Sequence, residues 1–331
     1  MRQQRGVALL TVLLVLATIT TLAAAMTERS YLSLRRTINL NNMDQAYWYS
    51  LSSEALAKRV LKQDFEDADG TVHLQQYWAT ADVVYPVDNG TIAGRIEDLR
   101  ACFNLNGLSQ ELTDTEKQQD PYQKPLAQRQ FIAMLEALEV DRYTAEMLAD
   151  RIKDFVDEDN DPSGSYGAES PEYEARQYPY RAPNQLMAHH SELRAVLGTS
   201  PELYQFLQDY ICVIPGESRQ ILNVNTVTEE RAALLVGMLE GRLSLGDAQS
   251  LINNRPGDGW EDSEKFWEES SVSRLTDLSA QTKGTLAVDS EYFRLNGAAQ
   301  VDNAVFRLES VLRRGGGNNL TVLTRQYGGQ Q

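Results

Sequence analysis

No glycine or proline occurs between Val7 and Asp69, and the first twenty positions of that stretch, 7–26, carry no charge. Gly and Pro are the residues that most readily break a helix. At ~1.5 Å per residue, residues 7–26 make a helix of about 30 Å, the thickness of a bilayer's hydrocarbon core. The chain is therefore expected to begin in a membrane, as the buried end of one long helix. A cleaved secretory signal is the alternative, because Arg2 and Arg5 precede the apolar run and Ala23-Ala24-Ala25 offers a small-residue exit. The run exceeds the ~7–15 apolar residues of such signals, and helix-compatible sequence continues past it. Arg29, Arg35 and Arg36 follow it, so flanking charge sets orientation only weakly.

The 331 residues leave room for about two core-forming units. A net charge of −16 opposes sequence-independent nucleic-acid binding, which needs cations to replace phosphate counterions. It also opposes docking on an anionic membrane surface. Cys102 and Cys212 lie 110 positions apart without CxxC spacing. In an exported chain they read as a disulfide, the alternative being two buried thiols.

Residues 27–64 suit an amphipathic helix, with Leu40, Met43, Tyr47 and Leu51 as an apolar stripe expected to pack on a sheet. Val72-His73-Leu74, Val83-Val84-Tyr85 and Thr91-Ile92-Ala93 are strand-prone, and Asp88-Asn89-Gly90 is a hairpin-turn signal. Between Gly107 and Leu207 the signals are helical, as in 128–138 and 145–155. Strand-like sequence returns at 210–214, so a Cys102–Cys212 bridge would clip a helical insertion at its neck. Residues 222–268 are helical again, and 290–293, 303–311 and 320–327 read as strands. Gly315-Gly316-Gly317 reads equally as a turn or a flexible linker.

From Asp154 to Glu174 there are eight carboxylates and no Lys, Arg or His. Such crowding is relieved by solvent or by a bound cation. Asp157, Asp159 and Asp161 alternate like positions 1, 3 and 5 of a calcium loop. Pro162 stands where that loop turns on glycine, and Glu169 falls one residue late for its last ligand. Oxygen donors without His or Cys favour calcium over zinc.

Leu222-Asn223-Val224-Asn225-Thr226-Val227 and the segment after it are similar to a helix-hairpin-helix element, which grips phosphate through backbone amides. Residues 221–268 hold nine acids against Arg231, Arg242, Arg255 and Lys265, so a scaffold role is expected, with Asn225 or Thr226 as a helix cap. Asn184 and Ser191-Glu192-Leu193 are expected to fix and cap helices. No GxSxG, P-loop or HExxH occurs, His189 and His190 are adjacent rather than i, i+4, and nothing selects a glycosidase pair among the acids. No catalysis and no nucleic-acid partner are expected.

A basic leader ending in Gly6, then an apolar helix continuing into an amphipathic one, resembles the type IV pilins and the pseudopilins of type II secretion. In that superfamily a prepilin peptidase cuts after the glycine and methylates the new N-terminus, here Val7, where Phe or Met is commoner. Most members carry glutamate at the fifth mature residue; this chain has Thr11, a departure typical of the K-type minor pseudopilins. The resemblance extends to GAESPEY, NQLMAHHSELRAVLG, the NVNT element and Ser290-Glu291-Tyr292-Phe293.

The resemblance implies an α+β, type IV pilin-like fold with a long N-terminal helix, an antiparallel sheet and a large all-α insertion. It divides the chain into leader (1–6), transmembrane half-helix (7–26), pilin-like helix and first strands (27–104), helical insertion with a calcium loop (105–210), and scaffold with closing strands (211–331). Calcium is the implied cofactor, on Asp157, Asp159, Asp161, Glu169 and Glu174. Implied partners are the prepilin peptidase, the minor pseudopilins I and J and other pseudopilus subunits, around a single-pass inner-membrane anchor with the bulk of the chain in the periplasm. The usual glutamate pairs with the N-terminal amine of the subunit ahead. Thr11 thus implies a subunit with none ahead, at the tip.

Overall fold

The computed structural model describes residues 5–68, 70–80, 83–120 and 122–328; the first four leader residues lie outside them. Helix α1 runs unbroken over Arg5–Asp67. Its first part, 7–41, is exposed all round, and from Ala46 onward it lies on a sheet. The face it buries is Ala46, Ser50, Ser53, Ala57, Leu61 and Phe65, at steps of three and four. This differs from the stripe expected to be core. Leu40 and Met43 are exposed and Leu51 is half-buried, while Tyr47 packs edge-on to Phe306 with ring centroids 5.3 Å apart. Side-chain size explains the difference, because small residues let helix and sheet backbones approach. At the contact, a Cβ added to Gly297 would lie 2.8 Å from Ser53 Oγ.

Along the chain follow β1 (Val83–Val87), β2 (Gly90–Asp98), the two-residue strands β3 (Phe103–Asn104), β4 (Ile211–Cys212), β5 (Leu222–Asn223) and β6 (Leu286–Ala287), then β7 (Tyr292–Val301), β8 (Ala304–Arg314) and β9 (Leu320–Tyr327). The main sheet has order β1-β2-β7-β8-β9, every neighbour antiparallel. Asp88-Asn89-Gly90 makes the β1–β2 turn with Asn89 at φ 61°. The glycine run is a turn between β8 and β9, with Gly317 at φ 67°. Residues 72–74 form no strand. Val72 makes one backbone bond to the Val288 carbonyl (3.1 Å), and the chain then enters a 3-10 turn at Tyr77–Ala79. Glu54, buried under the sheet, meets Arg325 (2.7 Å), Ser310 (2.8 Å) and Lys58 (3.0 Å). Burial pushes its carboxyl up, but these donors outweigh burial and hold it at about 2.

The helical unit contains α2 (Asp114–Gln119), α3 (Leu126–Ala137), α4 (Arg142–Val156), α5 (Ser170–Glu174), α6 (Pro201–Leu207), α7 (Ala232–Met238) and α8 (Leu245–Asn253). One apolar core runs through it from Phe103 to Leu286. A boundary near residue 210 therefore does not divide the structure. Residues 222–286 join the helical core because α7 packs on α3 so closely that a Cβ on Gly237 would lie 2.5 Å from Met134 Cβ.

Cys102 and Cys212 form a disulfide with Cα atoms 5.7 Å apart. It lies among Leu99, Ile214, Tyr292 and Val311, where the helical unit meets the sheet. Beside it Asp98 is wholly buried and accepts from Thr226 Oγ1 (2.6 Å), Asn223 Nδ2 (3.0 Å), the Arg100 amide (2.7 Å) and Ser290 Oγ. Asn225 Nδ2 donates to the Trp260 carbonyl (3.0 Å). Thr226 and Asn225 are thus knots between segments rather than helix caps. These junctions all lie at the end of the sheet where Phe293 packs on Phe65, far along α1 from the exposed apolar segment.

Candidate metal centre after α4

Helix α4 and its C-cap residue present Asp150, Lys153, Asp154 and Asp157 at i, i+3, i+4 and i+7, all almost wholly buried. The carboxylates on this face do two different things. Asp150 and Asp154 hold the loop: Asp154 accepts from the Ser163 (2.9 Å) and Ala168 (2.7 Å) amides, and Asp150 from the Tyr166 amide (3.4 Å) and Lys124. The loop presses so close that a Cβ on Gly164, at φ +59°, would meet Asp150 Oδ2 at 2.4 Å. Burial raises the Asp154 carboxyl to about 6 against these donors.

Asp157 and Glu169 instead point unpaired oxygens inward. Asp157 is 6% and Glu169 2% exposed, yet Asp157 Oδ1, Glu169 Oε1 and Asn184 Oδ1 are buried without a hydrogen-bond partner. Burial, and then the charges of Asp154, Asp157 and Asp159, push the Glu169 carboxyl up to about 7. Burial also raises Asp157, with Lys153 opposing. Asn184, at φ 46°, sets its amide nitrogen among the Asp159 carbonyl, Asn160 Oδ1 (3.2 Å) and Glu169 Oε2 (3.5 Å). Carboxylate oxygens of Glu111, Asp157 and Asp159 lie within 4.8 Å of one another.

Of the five residues expected to bind metal, the structure brings the carboxylates of Asp157 and Asp159 together, joins Glu169 to the Asp159 backbone through the Asn184 amide, and leaves two outside. Asp161 is exposed and its amide donates to Asp159 Oδ1 (2.8 Å), while Glu174 pairs with Arg181 (2.7 Å) on the surface. Glu111 and Asn184, which sequence reasoning did not place here, arrive from 46 residues before and 27 after Asp157. Glu111 carries no local signal, and Asn184 reads as a capping residue. Among the other constellations, Glu192 does cap, receiving the His189 amide (2.8 Å). In the hairpin after α7, Arg242 is engaged with the Thr276 and Asp277 carbonyls, and Arg255 with those of Val224 and Val227. At the other end of the molecule, α1 contains the Gly6–Val7 bond, and Thr11 Oγ1 donates to the Ala8 carbonyl (2.9 Å).

A long apolar helix seated on an antiparallel sheet, with a helical unit inserted between β2 and β7, finds direct counterparts among known proteins. Two family models, both described as type II secretion system (T2SS), protein K, match residues 101–216 and 222–289. The type II secretion system protein K of Aeromonas hydrophila is 42% identical over 332 residues, covering 100% of this chain and 99% of that protein. That of Klebsiella pneumoniae is 36% identical over 326 residues, covering 98% and 97%. A chain in the crystal structure of the GspK–GspI–GspJ complex from the enterotoxigenic Escherichia coli type 2 secretion system superposes with a TM-score of 0.77 at 35% identity, covering 89% of this chain and 100% of that one. Matched from its apolar first helix to its closing strands, the chain belongs to the protein K family of the type II secretion system and is a minor pseudopilin.

Proposed function

We propose that this chain forms the tip of the type II secretion pseudopilus, where with minor pseudopilins I and J it starts assembly in the inner membrane and helps export folded proteins across the outer membrane. The observation that carries this reading is where the helical unit sits. It joins the sheet at Asp98–Cys102 and Tyr292, the end remote from the membrane segment, so a subunit stacked ahead would meet its bulk. Thr11 agrees: its hydroxyl is satisfied within α1, and it brings no carboxylate into the bilayer. An unpaired charge there would cost several kcal/mol. The partners follow the solved relative, whose complex contains GspI and GspJ. Prepilin peptidase is the processing enzyme in this reading, cutting between Gly6 and Val7 to leave a single-pass anchor with the bulk in the periplasm. The disulfide suits that oxidising compartment. Gold directed to an epitope on α6 should decorate one end of each pseudopilus, with mass spectrometry showing an N-methylated Val7. Label along the whole length would sink the tip assignment.

Calcium belongs to the same proposal. The buried oxygens of Asp157, Glu169 and Asn184 that lack a hydrogen-bond partner are hard-oxygen donors of the kind that suits this ion. When bound, it would neutralise carboxylates that burial otherwise disfavours and tie α4 to the loop. Calcium at about a hundredfold above its Kd should stabilise the detergent-solubilised protein by about 2.7 kcal/mol over chelator. The midpoint of melting reports it, and equal midpoints would leave these acids without an ion.

A further inference from the structure

Two of the chain's three histidines are neighbours, His189 and His190, and both line a cleft of about 530 Å³ between the helical unit and strands β7 to β9. Their ring centroids are 4.2 Å apart. The Ser191 amide donates to His189 Nδ1 (3.2 Å), which leaves the neutral ring's proton on Nε2, 3.6 Å from Glu309 Oε1 of β8. His190 is held against α6: its ring lies parallel to that of Tyr204 (6.1 Å), and its Nδ1 is 3.0 Å from the Tyr204 hydroxyl. Among the described residues, the other charges around the cleft are engaged or in solvent. Arg294 of β7 is paired with Glu97 of β2 (2.6 Å), and Glu192 receives the Ala188 and His189 amides (2.8 Å each). Arg194 lies over the Tyr204 ring (5.9 Å), while Asp209 and Arg307 are exposed on the rim. One carboxylate, Glu309, therefore serves two imidazoles.

We propose that the His189–His190 pair is an acid-released latch between the helical unit and the sheet, closed while His190 is neutral and opened when a second positive ring appears beside His189. Two imidazolium rings this close, with the Arg294 guanidinium near them, cannot both be balanced by Glu309. Burial, with the charges of His189 and Arg294 added, pulls His190 from the ordinary 6.5 down to about 4. The closed form is thus at full strength above about 6.5, where His190 is neutral whether the cleft is open or closed. It weakens as the pH falls toward 4, because the open form takes up the proton more readily. Burial pushes Glu309 up, but His189 and Arg294 outweigh it and hold the carboxyl below its ordinary value, so its contribution is lost in the same direction at still lower pH. The Cys102–Cys212 bridge does not titrate, so the neck holds while the cleft opens and the helical unit tilts rather than unfolds. The latch needs neither a tip position nor a bound ion.

The test is a distance across the cleft, measured by double electron–electron resonance on the full-length protein in detergent. Both native cysteines are bridged, so spin labels can be placed through Phe206→Cys on α6 and Val305→Cys on β8, two exposed positions. The ratio of the longer, open distance to the closed one should rise about tenfold between about pH 7 and pH 5, with the far-ultraviolet helical signal unchanged. His190→Phe keeps a ring beside Tyr204 and His190→Gln keeps a polar group; neither can gain a charge, and in both the ratio should stay constant over that range. His73→Phe, at a different cleft, should follow the parent profile. A parent ratio that does not move with pH overturns the proposal, as does a His190 variant that moves like the parent or a His73 variant that goes flat. Loss of helical signal together with the closed distance would mean acid unfolding, and it too overturns the latch.

Discussion

Replacing Cys102 and Cys212 together by serine should cost about 4–5 kcal/mol, as expected for opening a loop of 110 residues in the chain-entropy picture. This is a large share of the ~5–15 kcal/mol that holds a typical domain together. The location adds to it. The bridge packs against Leu99, Ile214, Tyr292 and Val311, residues of both the helical unit and the sheet, so its loss loosens the seam between them. Denaturant unfolding of the double variant should show a lowered midpoint and two separated steps where the wild type shows one. A change below about 1 kcal/mol would mean that the Asp98 knot alone secures the seam.

Phe293→Ala should be nearly as damaging on the other side of that seam. Phe293 is wholly buried and packs against Phe65 of α1 (5.4 Å) and Trp78 (5.5 Å), so one ring joins helix, 3-10 turn and sheet. Removing it should cost about 3–5 kcal/mol, the transfer term plus an unfilled cavity. The core from Phe103 to Leu286 does not include Phe293. Early loss of Trp78 fluorescence, with the far-ultraviolet helical signal retained, is the expected signature; simultaneous loss would show one cooperative unit.

Much of this fold is legible in the sequence where local chemistry and tertiary packing agree. A long stretch without Gly or Pro becomes one helix, and Asp88-Asn89-Gly90 becomes a turn with Asn89 at positive φ. Reading fails where packing overrides local preference. The second half of β7 contains Gly297, Ala298 and Ala299, which carry no strand signal; they are small because α1 lies on them at Ser53. The same contact misleads the choice of buried stripe on α1, since a face of Ala and Ser attracts less notice than Leu and Met. In the candidate metal centre, the run of Asp residues points to the loop, but not to the division of labour within it. Asp154 serves amides, Asp161 faces solvent, and Glu111 and Asn184 join from separate segments. Only three-dimensional closure brings those two to Asp157.

The continuity of α1 has a mechanical consequence. At ~1.5 Å per residue its 63 residues form a rod of about 95 Å, apolar and exposed at its start and clamped to the sheet over its last third. A rod without a hinge cannot absorb displacement. If the anchor is lifted by one helical turn, about 5.4 Å, the body at the far end rises by the same amount and in the same orientation. A force applied at the apolar end would therefore reach the helical unit undiminished, as it does at the head of a piston.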